Sequence, residues 1–195
     1  MRSRQLVVCG VAFAGPYTNV FLCAWLLLAC AHTESFEGSV LHKGDLSVRL
    51  GQAPGGWRPL RIEGADAAYR DEDHEGSVMF DVRCHRRDDD APLSVLSQQL
   101  VIGTTERQIL SEETEPFDGR EALHTRMRAK LDGVPMQYDI YVLKKDGCIY
   151  DLVYVAPPAR SAEGEADFER FARGLHGETS PVGVGRASRA PTSDR

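Results

Sequence analysis

Residues 120–155 read REALHTRMRAKLDGVPMQYDIYVLKKDGCIYDLVYV, and their pattern decides the fold. Ala122–Leu131 alternates strictly. Leu123, Thr125, Met127, Ala129 and Leu131 share one face, and His124, Arg126, Arg128 and Lys130 share the other. A period of two is the signature of a strand. Asp132-Gly133 is a two-residue hairpin signal, and Asp146-Gly147 repeats it. The stretch is therefore three long antiparallel strands, Ala122–Leu131, Val134–Lys144 and Cys148–Val155. The second and third are apolar on both faces: Tyr138, Ile140 and Val142 against Tyr141 and Leu143, then Tyr150, Leu152 and Tyr154 against Ile149, Val153 and Val155. Such strands must be covered on both sides, which disfavours an open single-faced sheet.

Weaker elements extend outward from this meander. Upstream, Val40–His42, Leu46–Leu50, Ala67–Tyr69, Ser77–Cys84 and Gln108–Ser111 read as strands. Pro59 confines the segment after Trp57 to a sheet edge or an irregular extended piece. Pro92 opens a helix carrying Leu93, Leu96 and Leu100, and Gly103 stops it. Downstream, Ala162–Leu175 forms a helix with Phe168, Phe171, Ala172 and Leu175 on one stripe. Glu178–Arg195 is rich in Ser, Thr, Pro, Gly and Arg and is expected to be disordered. The fold class is α+β: an α/β/α sandwich in which a twisted antiparallel sheet is flanked by two main helices.

The N-terminus places the protein. Arg2 and Arg4 are the only charges before Glu34, and Val20–Ala29 is a continuous apolar run, short for a bilayer span and long enough for a signal segment. Leu27-Leu28-Ala29-Cys30 ends that run. The pattern resembles a bacterial lipoprotein leader, and the resemblance implies a diacylglyceryl thioether on Cys30 as the first mature residue. Two rivals compete with it: ordinary cleavage after Ala31, and an uncleaved anchor using Leu6 through Ala31. All three export Glu34 onward. Ala31 follows the cysteine where no Asp stands, which by resemblance to enterobacterial sorting favours the outer membrane, facing the periplasm. The expected organisation is a signal peptide over 1–29, lipidated Cys30 and a tether to residue 38, a globular domain over 39–177, and the tail over 178–195.

Charge narrows the partners. Without Arg2 and Arg4 the chain holds 21 Lys and Arg against 29 Asp and Glu, a net of −8. Nucleic-acid binding depends on cationic neutralisation of phosphate, so that class is disfavoured. The expected partners are a membrane, through the anchor, and an envelope protein or small ligand. Cys84 and Cys148 are the only cysteines beyond the leader. In an oxidising compartment they are expected to form one disulfide, with two buried thiols as the rival reading.

The order of elements adds a second resemblance. Phe117-Asp118-Gly119-Arg120-Glu121-Ala122, the meander, Asp146-Gly147-Cys148-Ile149-Tyr150-Asp151-Leu152-Val153-Tyr154 and the closing Phe168/Phe171 helix resemble the PsbP-like superfamily. Within it the chain is most similar to small bacterial lipoproteins. The resemblance implies a fold; activity belongs to sites grafted onto folds.

The sequence shows no nucleophile elbow, P-loop or dinucleotide fingerprint, and no catalytic residue, cofactor or metal is expected. Arg126 and Arg128, within a strip with Arg120 and Lys130, are candidate partner-binding residues, against pairing with carboxylates such as Glu121 and Asp139. Trp57 is a candidate anchor, against packing in the core. His124 reads as part of a solvated strand face. The expected function is a non-enzymatic binding or accessory role at the envelope. The alternative is a metal-assisted hydrolase built on His74 within Asp71-Glu72-Asp73-His74-Glu75, a run that lacks calcium-loop spacing.

Overall fold

The structure is a computed structural model that describes residues 35–37, 39–84 and 90–179. Cys30, the leader over 1–29, most of the tether and the tail beyond Thr179 lie outside the described residues. Eleven strands and two helices are present among those described: β1 (Ser35–Glu37), β2 (Val40–Lys43), β3 (Leu46–Arg49), β4 (Trp57–Leu60), β5 (Ala67–Asp71), β6 (Gly76–Cys84), α1 (Leu93–Gln99), β7 (Thr105–Phe117), β8 (Arg120–Leu131), β9 (Val134–Lys145), β10 (Cys148–Ala156), α2 (Ser161–Arg173) and β11 (His176–Thr179).

The strands form two antiparallel sheets. The large one runs β4-β5-β6-β10-β9-β8-β7, and the small one β1-β2-β3-β11. The meander expected from residues 120–155 is β8-β9-β10. Its turns have Asp132, Gly133, Asp146 and Gly147 at positive φ, the requirement of a tight hairpin turn. β4, which carries Pro59, is an edge strand.

Both faces of the large sheet are covered, as its central strands require. On one face Val78, Phe80, Val82, Tyr150, Leu152 and Tyr154 pack against Phe168, Phe171 and Ala172 of α2 and against Leu41, Leu46 and Val48 of the small sheet. On the other, Met127, Ile140, Val142, Ile149 and Val153 pack against Leu96 and Val101 at α1. Burying each large side chain contributes roughly 1.5–3 kcal/mol. The expected architecture holds in its coarse form, an antiparallel sheet with a helix on each face. It differs in that α1 is only seven residues long and a second sheet shares a layer with α2.

Three boundaries also differ. β1 pairs with β2 inside the segment expected to be tether. β11 pairs with β3 and runs through Thr179, two residues into the expected tail. The short strand expected at Gln108–Ser111 is the 13-residue β7. β7 is the other edge of the large sheet and is interrupted by irregularities between Thr105 and Gln108 and between Ile109 and Ser111, with Glu106 at positive φ. Bulges and charges of this kind keep an edge strand from pairing with other chains. Among the described residues no helix is long and apolar enough to cross a membrane.

Candidate functional site

β8 delivers the basic strip to a face that α2 overlies. His124, expected on a solvated face, is only 12% exposed, because its ring stacks on Tyr141 at 4.0 Å and the β7–β9 segment of the sheet is roofed there. Its Nε2 lies 2.5 Å from Asp139 Oδ1 and its Nδ1 3.5 Å from Glu115 Oε1. Asp139 is 1% exposed, and Arg126 Nε stands 3.6 Å from its second oxygen and 3.8 Å from Glu165 on α2. Burial opposes the charge on Arg126, but Asp139 and Glu165 outweigh it and hold the guanidinium above its usual pKa. Arg128 donates to Gln137 at 3.1 Å, Lys130 pairs with Glu106 at 2.7 Å, and Arg120 with Asp146 at 3.5 Å. Arg173 on α2 closes the cluster. It bonds Glu115 at 2.7 Å and the Pro116 carbonyl at 2.9 Å. Its guanidinium also lies over the rings of Phe117 and Tyr141, where the ring faces attract a cation. These charges hold α2 on the sheet.

Of the three candidate partner-binding residues, only Arg128 is exposed. Trp57 is 5% exposed and packs on Tyr69 and Phe171, with ring centroids 5.8 and 5.2 Å away. That is the core-packing alternative. Cys84 and Cys148 sit directly opposite each other in the β6–β10 ladder and are joined by a disulfide.

The acidic loop is pinned from within. Asp71 is fully buried; it accepts the Tyr154 hydroxyl at 3.1 Å, meets His74 Nδ1 at 2.8 Å, and its other oxygen accepts the His74 amide at 3.2 Å. Burial, then the Asp71 charge, pushes the Tyr154 hydroxyl up, so it stays a donor. Among the described residues no group of three or more His, Cys, Asp or Glu is placed to hold a metal ion.

A concave feature suited to a ligand lies elsewhere. A half-open groove of about 680 Å³ runs between the β4–β5 end of the large sheet and the ends of β2 and β3. Ala53, Pro59, Leu60, Ala67 and Tyr69 wall it, and Asp66 supplies a charge. Ala53, Ala67 and Tyr69 are also the partly buried margin of the core beneath α2. The groove exists because the four-residue strands of the small sheet stop short and leave that margin without a roof. Its volume falls in the range of ligand pockets, roughly 300–1,000 Å³. Asp66 is tied down: its Oδ1 accepts Lys43 Nζ at 2.8 Å and its Oδ2 the Val82 amide at 2.8 Å. None of the candidate binding or catalytic residues named from the sequence lines it. The sequence marks the region only as a Gly-Pro loop beside an edge strand, and where two sheets end relative to each other is not a local signal.

Comparison with solved structures bears on this architecture. The solution structure of cyanobacterial PsbP (CyanoP) from Synechocystis sp. PCC 6803 superposes with a TM-score of 0.51 at 13% identity, covering 68% of this chain and 86% of that one. The fold is PsbP-like. LpqN, involved in cell envelope biogenesis of Mycobacterium tuberculosis, has a TM-score of 0.49 at 13% identity, with 72% of this chain and 90% of LpqN covered. The Mog1 E65A mutant has 0.46 at 12%, covering 68% and 90%. No family model matches the chain, and no curated protein matches it by sequence. At these identities a PsbP-like domain is a statement about fold.

Proposed function

We propose that this chain is an envelope lipoprotein, tied by Cys30 to the outer membrane and facing the periplasm, whose PsbP-like domain binds a small apolar ligand without transforming it. The groove carries the reading: it is a piece of core margin left uncovered, and apolar surface of that kind gains by being removed from water. The finer architecture fits this use. An α/β/α sandwich whose second layer is shared between a helix and a small sheet has a gap where that sheet ends. The disulfide between β6 and β10 suits an oxidising compartment.

The groove is tested with N-phenylnaphthylamine, a dye that brightens in apolar surroundings. The full chain in its membrane is expected to take up one dye per protein with saturation. Leu60→Glu, at the 41% exposed rim, is expected to weaken uptake at least ten-fold without changing the melting temperature. Saturable uptake unaffected by that variant would move the site elsewhere.

A further inference from the structure

The groove's own polar groups narrow the ligand class, and the inference rests on the apolar-ligand reading above. We propose that the groove selects an uncharged molecule bearing an acceptor oxygen, such as a ketone or ester carbonyl, and that the Tyr69 hydroxyl donates the hydrogen bond that orients it.

The preference against charge follows from Asp66. It is the one charged residue among the described residues that line the groove. Its side chain is 4% exposed and both oxygens are occupied, one by the Lys43 ammonium at 2.8 Å and the other by the Val82 amide at 2.8 Å. A cationic ligand therefore meets a carboxylate that is already paired, and an anionic one meets no cation in the lining. Taking a charge out of water without a partner is costly, and an uncharged molecule avoids that cost.

The donor is Tyr69. It stands directly opposite Pro59 in the β4–β5 ladder, and both residues line the groove. Its ring is clamped, edge-on to Phe171 at 5.6 Å and tilted against Trp57 at 5.8 Å. The Tyr154 hydroxyl is bonded to Asp71, but that of Tyr69 has no protein partner among the described residues. Burial pushes the Tyr69 phenol above its usual pKa, so the hydroxyl keeps its proton. A donor on a ring already fixed by its neighbours needs little further ordering to meet a ligand. A hydrocarbon filling the groove would strip water from that hydroxyl and leave it unpaired, at a cost; a carbonyl oxygen replaces the water.

The test uses the full chain in nanodiscs, with empty nanodiscs as the blank. It is first loaded with N-phenylnaphthylamine, whose one polar group is an N–H. The dye is then displaced by three amphiphiles of equal chain length: methyl decyl ketone, dodecanoate and dodecylammonium. The ketone is expected to bind at least about ten-fold more tightly than either ion, because only the ions lose a charge's hydration without a partner. Tyr69→Phe is expected to weaken ketone binding about five-fold, the worth of one ordinary hydrogen bond. The same variant is expected to raise the carbonyl stretching frequency of the bound ketone and to leave dye uptake unchanged. An ion that binds as tightly as the ketone, or ketone binding untouched by Tyr69→Phe, overturns the inference and leaves the apolar groove standing. Dye uptake lost in that variant gives the hydroxyl a structural role and overturns it too. No dye uptake by the wild type removes the groove reading, and the inference with it.

Discussion

Gly51 shows how closely the layers of this domain approach. It follows β3, and its amide donates to the Phe171 carbonyl of α2 at 3.1 Å. A side chain at this position would run into the Phe171 backbone, and one at Gly174 into the Gly51 backbone. Backbone cannot swing aside, so the strain must be met by moving α2 or the small sheet. Gly51→Ala is expected to cost about 1–3 kcal/mol, the range for overpacking. Gly55→Ala, with open space around it, serves as a neutral control. Urea unfolding of both variants checks this. The buried Asp71 makes a polar counterpart. Tyr154→Phe removes a hydroxyl donor from a carboxylate that water cannot reach. The loss of a hydrogen bond to a charged group predicts destabilisation of about 2 kcal/mol, read from the same unfolding curves.

At the scale of elements, what the sequence disclosed followed from burial. β8, β9 and β10 were legible because one or both faces are buried and their turns demand Asp-Gly. The helix stripe of Phe168, Phe171 and Ala172 was legible for the same reason. β7 was not. TERQILSEETEPF is exposed almost throughout, so no face forces an apolar alternation, and only pairing with β8 reveals the strand's full length. β1 and β11 are three and four residues long and take their structure from neighbours. The groove was invisible because it is defined by where strands end. β11 is held by its own ionic latch. His176 Nδ1 lies 2.6 Å from Asp118 Oδ1 and its Nε2 2.8 Å from Glu178; Asp118 Oδ2 also takes Lys145 at 2.7 Å and the Gly177 amide at 3.0 Å. Burial raises the Asp118 pKa, but bonds from Lys145, Gly177 and His176 outweigh it and leave it below the usual value. Bonds to Asp118 and Glu178 raise that of His176. The contribution of Asp118 is present above the ordinary carboxylate pKa of about 3.9 and fades as pH falls through its lowered native value. That of His176 is complete below about 6.5 and fades as pH rises through its raised native value. The latch is therefore strongest between those limits. Hydrogen exchange at β11 is expected to show least protection at the alkaline and strongly acid ends, and His176→Gln is expected to flatten the alkaline limb. An unchanged alkaline limb in that variant would detach the latch from His176. The disulfide acts between elements too. It joins β6 to β10 across a sequence separation of 64. Replacing both cysteines by Ala is expected to lower stability by up to about 4 kcal/mol, the loop-closure entropy that the bridge removes from the unfolded chain.

For the whole molecule, the proposed location turns on charge and attachment. Beyond residue 29 the chain carries a net of −8, so its overall charge opposes binding to anionic lipid. The proposed attachment therefore rests on hydrocarbon. Each buried methylene contributes about 0.8 kcal/mol, and several chains on one cysteine make anchoring stable. Salt screens charges within roughly 3 Å at 1 M but does not weaken hydrocarbon burial. Washing membranes in concentrated salt is therefore expected to leave the protein bound, whereas a charge-held protein would be released. The three readings of the N-terminus then separate by mass. Lipidation gives a chain that begins at residue 30 and is heavier by its acyl groups. Cleavage after Ala31 gives a soluble chain that begins at His32, and an uncleaved anchor keeps Met1 on membrane-bound protein. With Cys30→Ala the thiol that would carry the lipid is gone, so no chain bearing acyl mass is expected in the salt-washed membranes. Acyl-free protein starting at His32 in the wild-type soluble fraction would remove the proposed anchor.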